Sequence, residues 1–426
     1  QSFRTELENP VVEKEILELE KKIQEHQRGE IPEEKFRSLR LARGVYGQRQ
    51  QGVQMVRIKI PFGKVTVKQL RRIADISDEY SNGNLHLTTR QDIQIHYVSL
   101  EKTPELWAKL AGDDVTLREA CGNTVRNITA SETAGIDPKE PFDVTPYADA
   151  LFNYFLRQPF DQDLPRKVKI AFSSNDEDTA LTFIHDIGFI PKVKIIDGKI
   201  VRGFKTLIGG GLGAQPFLAQ TAFEFLEENQ IVQFSEAAIR VFDRHGERTN
   251  RHKARLKYLI DKIGLEEFLR LTGEERIAPK AHAVVINRDS GPILLSEKQN
   301  VFTTFKVSNN RQYNNWLATN TFEQKQKDFF GVYIRVQLGN IRTDKARELA
   351  CIAEKYCADD IRITISQNLL LKFVRKEALP SLFRELEKNG LAEAGYNSIA
   401  DITACPGTDT CNLGIASSTG ITKELE

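Results

Sequence analysis

Two cysteines near the end of the sequence have the residue type and spacing of metal ligands. Cys405 and Cys411 lie six positions apart in ACPGTDTC, a stretch of Pro, Gly, Thr and Asp that favours a tight loop. Such loops suit thiolate ligands of an iron–sulfur cluster, because backbone N–H groups can point at the sulfur atoms. A cubane cluster needs four ligands, so this loop would supply half of a cluster site.

The other cysteines do not complete that site. Cys351 and Cys357 have the same spacing, but they lie in ELACIAEKYCADD, where a predicted helix places them on different faces. We interpret both as small core residues. Cys121 is a turn residue without an assigned role. An odd number of cysteines in a long chain fits reduced thiols in a cytoplasmic protein better than a disulfide framework.

Basic side chains recur on predicted strands. Arg57 and Lys59 alternate on one strand and Lys167 and Lys169 on another, so each pair shares a face. Arg126 lies in the turn CGNTVRN. Cations on faces where apolar residues are expected indicate a polyanionic ligand. Other polar and basic positions point the same way: Thr88, Arg90, Gln94 and His96 at alternate positions, and Arg251, Lys253, Arg255 and Lys257 on one predicted helix.

Several anions can be compared with this pattern. A nucleic-acid surface would call for interleaved aromatic residues or a recognition helix, and a nucleotide site for a P-loop; the sequence shows none of these. GGGLGA at 209–214 formally fits a dinucleotide turn, but the acidic candidates Glu224 and Glu227 fall within a predicted helix. A porphyrin-type macrocycle with many carboxylates would satisfy the cations, with the glycines allowing close approach.

The overall composition is that of an ordinary soluble protein. Sixty basic and 59 acidic residues give a net charge of +1, which argues against a general nucleic-acid or membrane binder. No apolar run approaches the roughly 18 residues that span a bilayer, and no secretory signal is evident. We therefore expect a cytoplasmic protein.

An internal repeat sets the predicted fold class, which is α+β. The order strand, helix, two strands, helix begins at GVQMVRIKIPFG and again at GVYIRVQLG, and an overlay places Thr88 on Thr364 and Gln91 on Gln367. Two copies of such a unit indicate a duplication with a pseudo-twofold axis and a site between the copies.

The pattern divides the chain into six predicted segments. In the α/β segment we expect helices over AQTAFEFLEEN and over the basic stretch TNRHKARLKYLIDKIG. The arm is expected to be poor in core residues and to wrap a neighbour or another domain. The segments are a helical arm (1–50), a first half-domain (51–118), an α/β domain (119–291), a linker with short strands (292–325), a second half-domain (326–395) and the cysteine loop (396–426).

As a set, these stretches resemble the siroheme- and iron–sulfur-dependent sulfite and nitrite reductases. The resemblance covers about residues 45–426. It implies two ferredoxin-like half-domains in a pseudo-twofold repeat and an α/β siroheme-binding domain, with the second siroheme-binding half incomplete. The stretches that carry it are MVRIKIPFG, LHLTTRQDIQIH, CGNTVRN, LPRKVKIAFS, IGGGLGAQP, RHKARLKYLI and ACPGTDTCNLGIASS.

The resemblance also implies roles for individual residues. Arg57, Arg126, Lys167 and Lys169 would surround the substrate anion beside siroheme. Cys405 and Cys411 would supply two of the four ligands of a [4Fe–4S] cluster. The family's second pair, C-x3-C, does not follow in this sequence, so we expect a fragment of a longer reductase. The implied cofactor-binding residues are Lys59, Thr88, Arg90, Gln94, His96, Asn127, Gly209, Gly210, Gly211, Arg251, Lys253 and Arg255.

The function implied first is the six-electron reduction of sulfite to sulfide at a siroheme coupled to a [4Fe–4S] cluster. A ferredoxin-dependent nitrite reductase that forms ammonia is the alternative. A non-catalytic macrocycle-binding or scaffolding protein is the alternative of another class. Because no flavin or NADPH module is evident, electrons would come from ferredoxin or a separate flavoprotein. The resemblance also implies that nitrite-specific plant-type members of the family tend to have Asn at the position of Lys169, so this lysine is expected to favour sulfite.

Overall fold

The computed structural model describes residues 9–277, 286–288 and 311–425. The chain divides into two compact units, Gln1–Ala120 with Gly291–Glu426 and Cys121–Ser290. Of the predicted linker, positions 292–310 lie outside the described residues, whereas positions 311–320 form a helix that the sequence did not predict. Among the described residues, no helix is long and apolar enough to cross a bilayer.

The helices include two in the N-terminal segment and a final one after the cysteine loop. They are α1 Pro10–Gln27, α2 Glu33–Leu41, α3 Val67–Tyr80, α4 Thr103–Ala111, α5 Thr145–Phe155, α6 Ile231–His245, α7 Leu256–Ile263, α8 Leu265–Ile277, α9 Arg311–Asn320, α10 Thr343–Tyr356, α11 Leu379–Lys388 and α12 Ser418–Leu425.

In the part of the chain that the structure describes, the strands form three five-stranded sheets. They are β1 Val45–Gly47, β2 Val53–Ile58, β3 Lys64–Val65, β4 Asn84–Leu87, β5 Ile93–Ser99, β6 Thr129–Ala130, β7 Ile170–Phe172, β8 Ile187–Ile196, β9 Lys199–Ile208, β10 Gln220–Glu227, β11 Thr321–Glu323, β12 Phe329–Ile334, β13 Asn340–Arg342, β14 Ile361–Ile363 and β15 Leu369–Arg375.

Two of the sheets belong to the first unit and repeat one topology. Their strand orders are β1-β2-β5-β4-β13 and β11-β12-β15-β14-β3. Each copy therefore donates a short strand to the sheet of the other: β13 pairs with β4, and β3 pairs with β14. The α+β fold with a duplicated ferredoxin-like unit is confirmed, and the exchanged strands tie the two copies into one body.

Equivalent turns join the paired strands of each copy. The Thr88 N–H donates to the Asp92 carbonyl at 3.0 Å, and the Thr364 N–H donates to the Asn368 carbonyl at 2.9 Å. Gln91 and its counterpart Gln367 both adopt a positive φ, 58° and 66°, which a non-glycine residue adopts only when its surroundings compensate. The overlay read from the sequence thus places equivalent turn residues together.

The N-terminal helices belong to the core of the first unit. Ile16, Leu19, Ile23 and Phe36 are at most 3% exposed and pack in the same hydrophobic cluster as the ferredoxin-like copies. The expectation of an arm poor in core residues is therefore wrong for the described part of this segment. Burial of four large apolar side chains stabilises the docked helices by roughly 1.5–3 kcal/mol per side chain.

The second unit is built on one mixed sheet, in the order β10-β9-β8-β7-β6. β7 runs parallel to β6 and β8, whereas β8, β9 and β10 form an antiparallel meander. The helix predicted over AQTAFEFLEEN is wrong, because Gln220–Glu227 is a strand. Pairing with the long strand Lys199–Ile208 satisfies its backbone and outweighs local helix preference.

The predicted basic helix is shorter than expected. Arg251–Lys253 forms a single 3-10 turn, and the α-helix begins only at Leu256. The Asn250 side chain accepts a hydrogen bond from the His252 N–H at 3.1 Å, a local cap that fixes this turn. The cations of TNRHKAR therefore do not share one helix face.

Candidate functional site

Arg57 is oriented by neighbours on its own sheet. Arg57 pairs in register with Gln94 of β5. With its oxygen turned to the guanidinium, the Gln94 amide accepts a hydrogen bond from Arg57 Nε at 3.1 Å. The Asp92 carboxylate lies 3.9 Å from Arg57 Nη1. The arginine side chain is 18% exposed, so it is held by these neighbours without being fully buried.

Two histidines stand beside Arg57. The His86 and His96 rings have centroids 6.1 Å apart, and His86 Nδ1 lies 2.9 Å from Asn340 Oδ1. Burial, followed by the charges of His86 and Arg57, lowers the pKa of His96 to about 4. Burial also lowers the pKa of His86. Both imidazoles are therefore neutral near pH 7, which avoids adding positive charge next to Arg57.

Thr88 and Arg90 lie in the turn before β5, not on the strand itself. Thr88 Oγ1 accepts hydrogen bonds from the Arg90 and Asp92 N–H groups, both at 3.2 Å, and so fixes the turn. The predicted alternation holds for Gln94 and His96, which lie on β5, but not for Thr88 and Arg90. Arg90 is half-buried.

Lys59 has a buried counter-charge. Its Nζ lies 3.2 Å from Glu119 Oε2, and the side chains are 2% and 0% exposed. The backbone of Lys59 pairs with Thr116 in an isolated bridge just after β2. Glu119 lies 60 positions from Lys59 and was not predicted as its partner. Lys59 as a cofactor contact stays a prediction.

The cysteine loop is a compact turn in the first unit. The Cys411 N–H donates to the Gly407 carbonyl at 2.9 Å, and the Thr408 N–H donates to the Ala416 carbonyl at 3.1 Å. A Cβ at Gly407 would meet the Ala416 carbonyl at 2.7 Å, so this position requires glycine. Cys405 Sγ lies 3.3 Å from Ser418 Oγ at the start of α12.

These thiols fit part of an iron–sulfur site. Cys405 is exposed and Cys411 half-buried, and no disulfide joins them. Within the described ranges, no group of three or more His, Cys, Asp or Glu side chains could hold a metal ion. The loop therefore has the donor chemistry for two cluster ligands but does not complete a site by itself. Cys357 is buried as expected, whereas Cys351 is exposed, so the core interpretation is wrong for Cys351.

In the second unit, three cations lie on adjacent extended segments. Val125 and Val168 form a parallel bridge, and the Arg126 N–H donates to the Val168 carbonyl at 2.9 Å. The two valines are buried, while Arg126, Lys167 and Lys169 are all half-buried. Since side chains alternate along extended chain, the three cations lie on the side opposite the valines. The adjacent Asn127 is buried.

A buried carboxylate that the sequence analysis missed organises this region. Asp186 is fully buried and accepts a hydrogen bond from the Lys169 N–H at 2.8 Å. It also accepts two from Arg255, at 3.0 and 2.8 Å, and its carbonyl accepts one from the Gly209 N–H at 2.9 Å. Asp186 therefore joins the lysine segment, the glycine turn and Arg255. Arg251 and Lys253 are exposed on their 3-10 turn.

The glycine turn is held by a second residue that was not singled out as a ligand. Lys257 Nζ donates to the carbonyls of Gly211, Leu212 and Gln215, the first two at 3.4 and 3.1 Å. Burial, followed by the charge of Arg255, lowers the pKa of Lys257. At Gly210 a Cβ would lie 2.4 Å from the Phe183 carbonyl, so only glycine fits there.

Each unit, taken by itself, carries half-buried cations whose donor chemistry suits the carboxylates of a macrocycle. The first unit offers Arg57, beside neutral imidazoles, and Arg90, and both arginines are half-buried. The second offers Arg126, Lys167 and Lys169, also half-buried. Cations at such depth bind carboxylates through charge-assisted hydrogen bonds more strongly than fully solvated ones do.

Comparison with known proteins places these features in a family. The model of the nitrite and sulphite reductase 4Fe-4S domain matches residues 121–280. The model of the nitrite/sulfite reductase ferredoxin-like half domain matches residues 46–112 and 322–389. Together the two models cover more than half of the chain, and the second matches both copies of the repeat.

Individual relatives agree with the family models. An assimilatory ferredoxin-dependent nitrite reductase of Haloferax mediterranei is 29% identical over 87% of this chain and 64% of its own length. A sulfite reductase [ferredoxin] 2 of Mycolicibacterium paratuberculosis is 26% identical over 90% of this chain and 68% of its own length. The chain thus spans about two thirds of the length of these relatives.

A solved structure supports the fold. The structure of the Mycobacterium tuberculosis NirA protein superposes with a TM-score of 0.77 at 24% identity, over 96% of this chain and 76% of that one. Because the models of both ferredoxin-like half domains and of the 4Fe-4S domain match, the chain belongs to the siroheme- and [4Fe–4S]-dependent nitrite and sulfite reductase family.

Proposed function

We propose that this protein acts in the six-electron reduction of nitrite to ammonia, with the reduction of sulfite to sulfide as the second candidate. One observation carries the proposal: Arg126, Lys167 and Lys169 share one side of two adjacent extended segments, flanking the Val125–Val168 bridge. A small oxyanion with several acceptor atoms is the ligand that suits such a set of donors.

The order of the two substrates follows from the relatives. The sequence alone favoured sulfite, on the strength of Lys169. The Haloferax relative is named a nitrite reductase, and a Synechococcus elongatus relative at 28% identity is also named a nitrite reductase. The mycobacterial relative named a sulfite reductase is 26% identical. This similarity supports nitrite as the first candidate substrate. Sulfite stays the second candidate, favoured by Lys169.

The residues of the chain would bind the anion and supply protons. Arg57 would hold an anion oxygen, and its hydrogen bond to Gln94 fixes the direction of the guanidinium. In the second unit, the Lys167 and Lys169 ammonium groups would bind anion oxygens and donate the protons with which oxygen leaves as water. Siroheme coupled to a [4Fe–4S] cluster supplies the electrons when bound. Cys405 and Cys411 would hold two positions of the cluster.

Ferredoxin is the proposed electron donor, because the relatives named above carry ferredoxin in their names. A separate flavoprotein is the alternative donor. Each donor can be tested by following oxidation of the reduced donor in the presence of the protein and nitrite.

The proposal is tested on the protein isolated from its natural source with its cofactors bound. Its absorption spectrum is recorded before and after addition of nitrite, sulfite or cyanide, and reduction of both anions is measured with reduced methyl viologen. A siroheme spectrum that shifts, with a higher kcat/KM for nitrite, supports the proposal. A higher kcat/KM for sulfite favours the second candidate. A siroheme spectrum without anion-induced shifts or turnover would support the non-catalytic macrocycle-binding alternative.

A further inference from the structure

The segment that leads into Cys405 is held by buried polar side chains of the second repeat copy. Arg335 Nη2 donates to the Ala400 carbonyl at 2.6 Å, and Asn368 Nδ2 donates to both Asp401 carboxylate oxygens at 2.9 and 3.0 Å. Arg335 and Asn368 are 8% and 1% exposed. Hydrogen bonds from buried groups are costly to break, so the backbone of the segment that precedes Cys405 is held in one conformation.

Gln367 holds the residue next to Cys405. Its Oε1 accepts a hydrogen bond from the Ala404 N–H at 2.8 Å. Its Nε2 donates to the Leu87 carbonyl of the first copy at 2.9 Å and lies 3.4 Å from His86 Nε2. Gln367 is 3% exposed, so one buried amide joins the thiol loop to the strand that pairs with the Gln94 strand.

The repeat supplies a natural comparison for Gln367. Gln91 occupies the equivalent turn, shares the positive φ and donates from Nε2 to the Ile363 carbonyl of the other copy at 3.0 Å. The side chain of each glutamine therefore donates a hydrogen bond to a backbone carbonyl of the other copy. Gln367 also accepts a hydrogen bond from the Ala404 N–H, the residue before Cys405, so its side chain links the duplicated turn to the cysteine loop.

The other end of the loop is held by the first repeat copy. The Arg49 backbone N–H donates to the Thr410 carbonyl at 2.9 Å, and its Nε donates to the Cys411 carbonyl at 3.3 Å. Arg49 Nη2 donates to the Gly414 carbonyl. Gln50 Nε2 adds a bond to the Asp409 carbonyl at 2.8 Å.

We propose that Gln367 and Arg49 are positioning residues for the two thiols, Gln367 for Cys405 and Arg49 for Cys411, one from each copy of the repeat. A cluster accepts its thiolates only in a narrow geometry, and a Gly- and Thr-rich loop loses much conformational entropy when it is ordered. Hydrogen bonds beside each cysteine order the loop in the metal-free protein, so less conformational entropy is lost when the metal centre binds. The identity of the metal centre rests on the proposed function, whereas the anchoring rests on the contacts alone.

The test is amide hydrogen exchange, followed by mass spectrometry, on peptides that cover 400–405 and 409–414. Gln367→Met removes both hydrogen-bonding ends of the amide, and Gln367→Glu keeps an acceptor for the Ala404 N–H. We expect exchange at Ala404 to rise about tenfold in Gln367→Met and to stay within about twofold of the parent in Gln367→Glu. Arg49→Met should raise exchange in 409–414, while Arg37→Met, an exposed arginine on α2, should not.

Gln91→Met is the matched control for the repeat. It removes the equivalent bond between the copies and should leave exchange at Ala404 unchanged. Equal rises at Ala404 in Gln367→Met and Gln91→Met would overturn the proposal, since the loop would then report global stability alone. Unchanged exchange in both Gln367→Met and Arg49→Met would also overturn it. Should Gln367→Met fail to fold, the comparison of Arg49→Met with Arg37→Met decides.

This experiment is separable from the proposed function. Hydrogen exchange reports the loop whether or not nitrite or sulfite is reduced. If the exchange pattern is as expected but the protein reduces neither anion, the anchoring proposal is supported and the proposed reaction is contradicted. If the protein is an active reductase but exchange at Ala404 does not change in the Gln367 variants, the anchoring proposal is contradicted and the proposed reaction is supported.

Discussion

Asp186 and Arg255 form a two-point ion pair in the interior of the second unit. The carboxylate accepts hydrogen bonds from Arg255 Nε at 3.0 Å and Nη2 at 2.8 Å, and it is fully buried. The same carboxylate holds the Lys169 N–H, so a single buried charge fixes both a predicted anion-binding lysine and an arginine at the glycine turn.

Removal of the Asp186 charge should destabilise the second unit. Asp186→Asn keeps an oxygen for the Lys169 N–H but leaves Arg255 without its counter-charge. We expect the free energy of unfolding to fall by about 2–4 kcal/mol, because one partner of a buried pair remains. Urea unfolding measures this, with Asp176→Asn, at an exposed aspartate, as the control. A loss below about 0.5 kcal/mol for Asp186→Asn would show that the pair contributes nothing net.

The buried pair Lys59–Glu119 should behave as a coupled unit. Lys59→Met and Glu119→Gln should each lower the free energy of unfolding by about 3–5 kcal/mol, because each removes one partner of a buried ion pair. The double variant should cost less than the sum of the two. A double-mutant cycle from urea unfolding gives the coupling energy, and strict additivity would contradict this prediction.

His96 should make stability depend on pH below neutrality. Its pKa is lowered to about 4 in the folded protein, whereas an unfolded histidine titrates near 6.5. Between these values the unfolded state binds more protons, so this contribution is complete above about pH 6.5 and is lost as pH falls towards 4. We expect the parent to lose roughly 2–3 kcal/mol more than His96→Gln over that range. Unfolding at pH 7 and pH 4.5 measures it, with exposed His252→Gln as the control. Equal pH dependence in parent and His96→Gln would count against the assignment.

Lys257 should order the glycine turn. Its ammonium group contacts three backbone carbonyls of residues 211–215, and Lys257→Met removes all three contacts. We expect hydrogen exchange and proteolysis in residues 211–217 to rise several-fold. Lys262→Met, at an exposed position on the same helix, should leave this turn as it is. A turn as protected in Lys257→Met as in the parent would mean that the Gly211–Phe217 bridge suffices.

The repeat could be predicted because its signal is local. Alternation in the strand segments and the shared Thr and Gln of the turns were enough to place Thr88 with Thr364 and Gln91 with Gln367. The exchanged strands could not be predicted, since Lys64–Val65 and Asn340–Arg342 are two and three residues long and pair with strands far away in sequence. So short a segment carries no period of its own.

Candidate site residues could be predicted from the sequence where residue type suggests chemistry, and these stay predictions, whereas contacts that depend on the fold could not be predicted. The cysteine pair and the lysine pair could be singled out from residue type and spacing alone. Asp186 lies 69 positions from Arg255, and its role appears only when the fold brings them together. The strand Gln220–Glu227 was mistaken for a helix because its pairing partner, and not its composition, decides its conformation.

Lys169 offers the sharpest test of substrate choice. Sulfite can bind as a dianion and nitrite as a monoanion, so loss of one cation should weaken sulfite binding more than nitrite binding. Lys169→Asn keeps a side-chain donor, and its backbone N–H can still donate to Asp186. We expect the ratio of kcat/KM for nitrite to kcat/KM for sulfite to rise about tenfold, which corresponds to about 1.4 kcal/mol. Steady-state reduction of each anion with reduced methyl viologen measures the ratio, and Lys199→Asn, on an exposed hairpin, is the charge-matched control. A ratio that falls in Lys169→Asn would show that this lysine does not favour sulfite, and a ratio that rises equally in both variants would assign the effect to net charge.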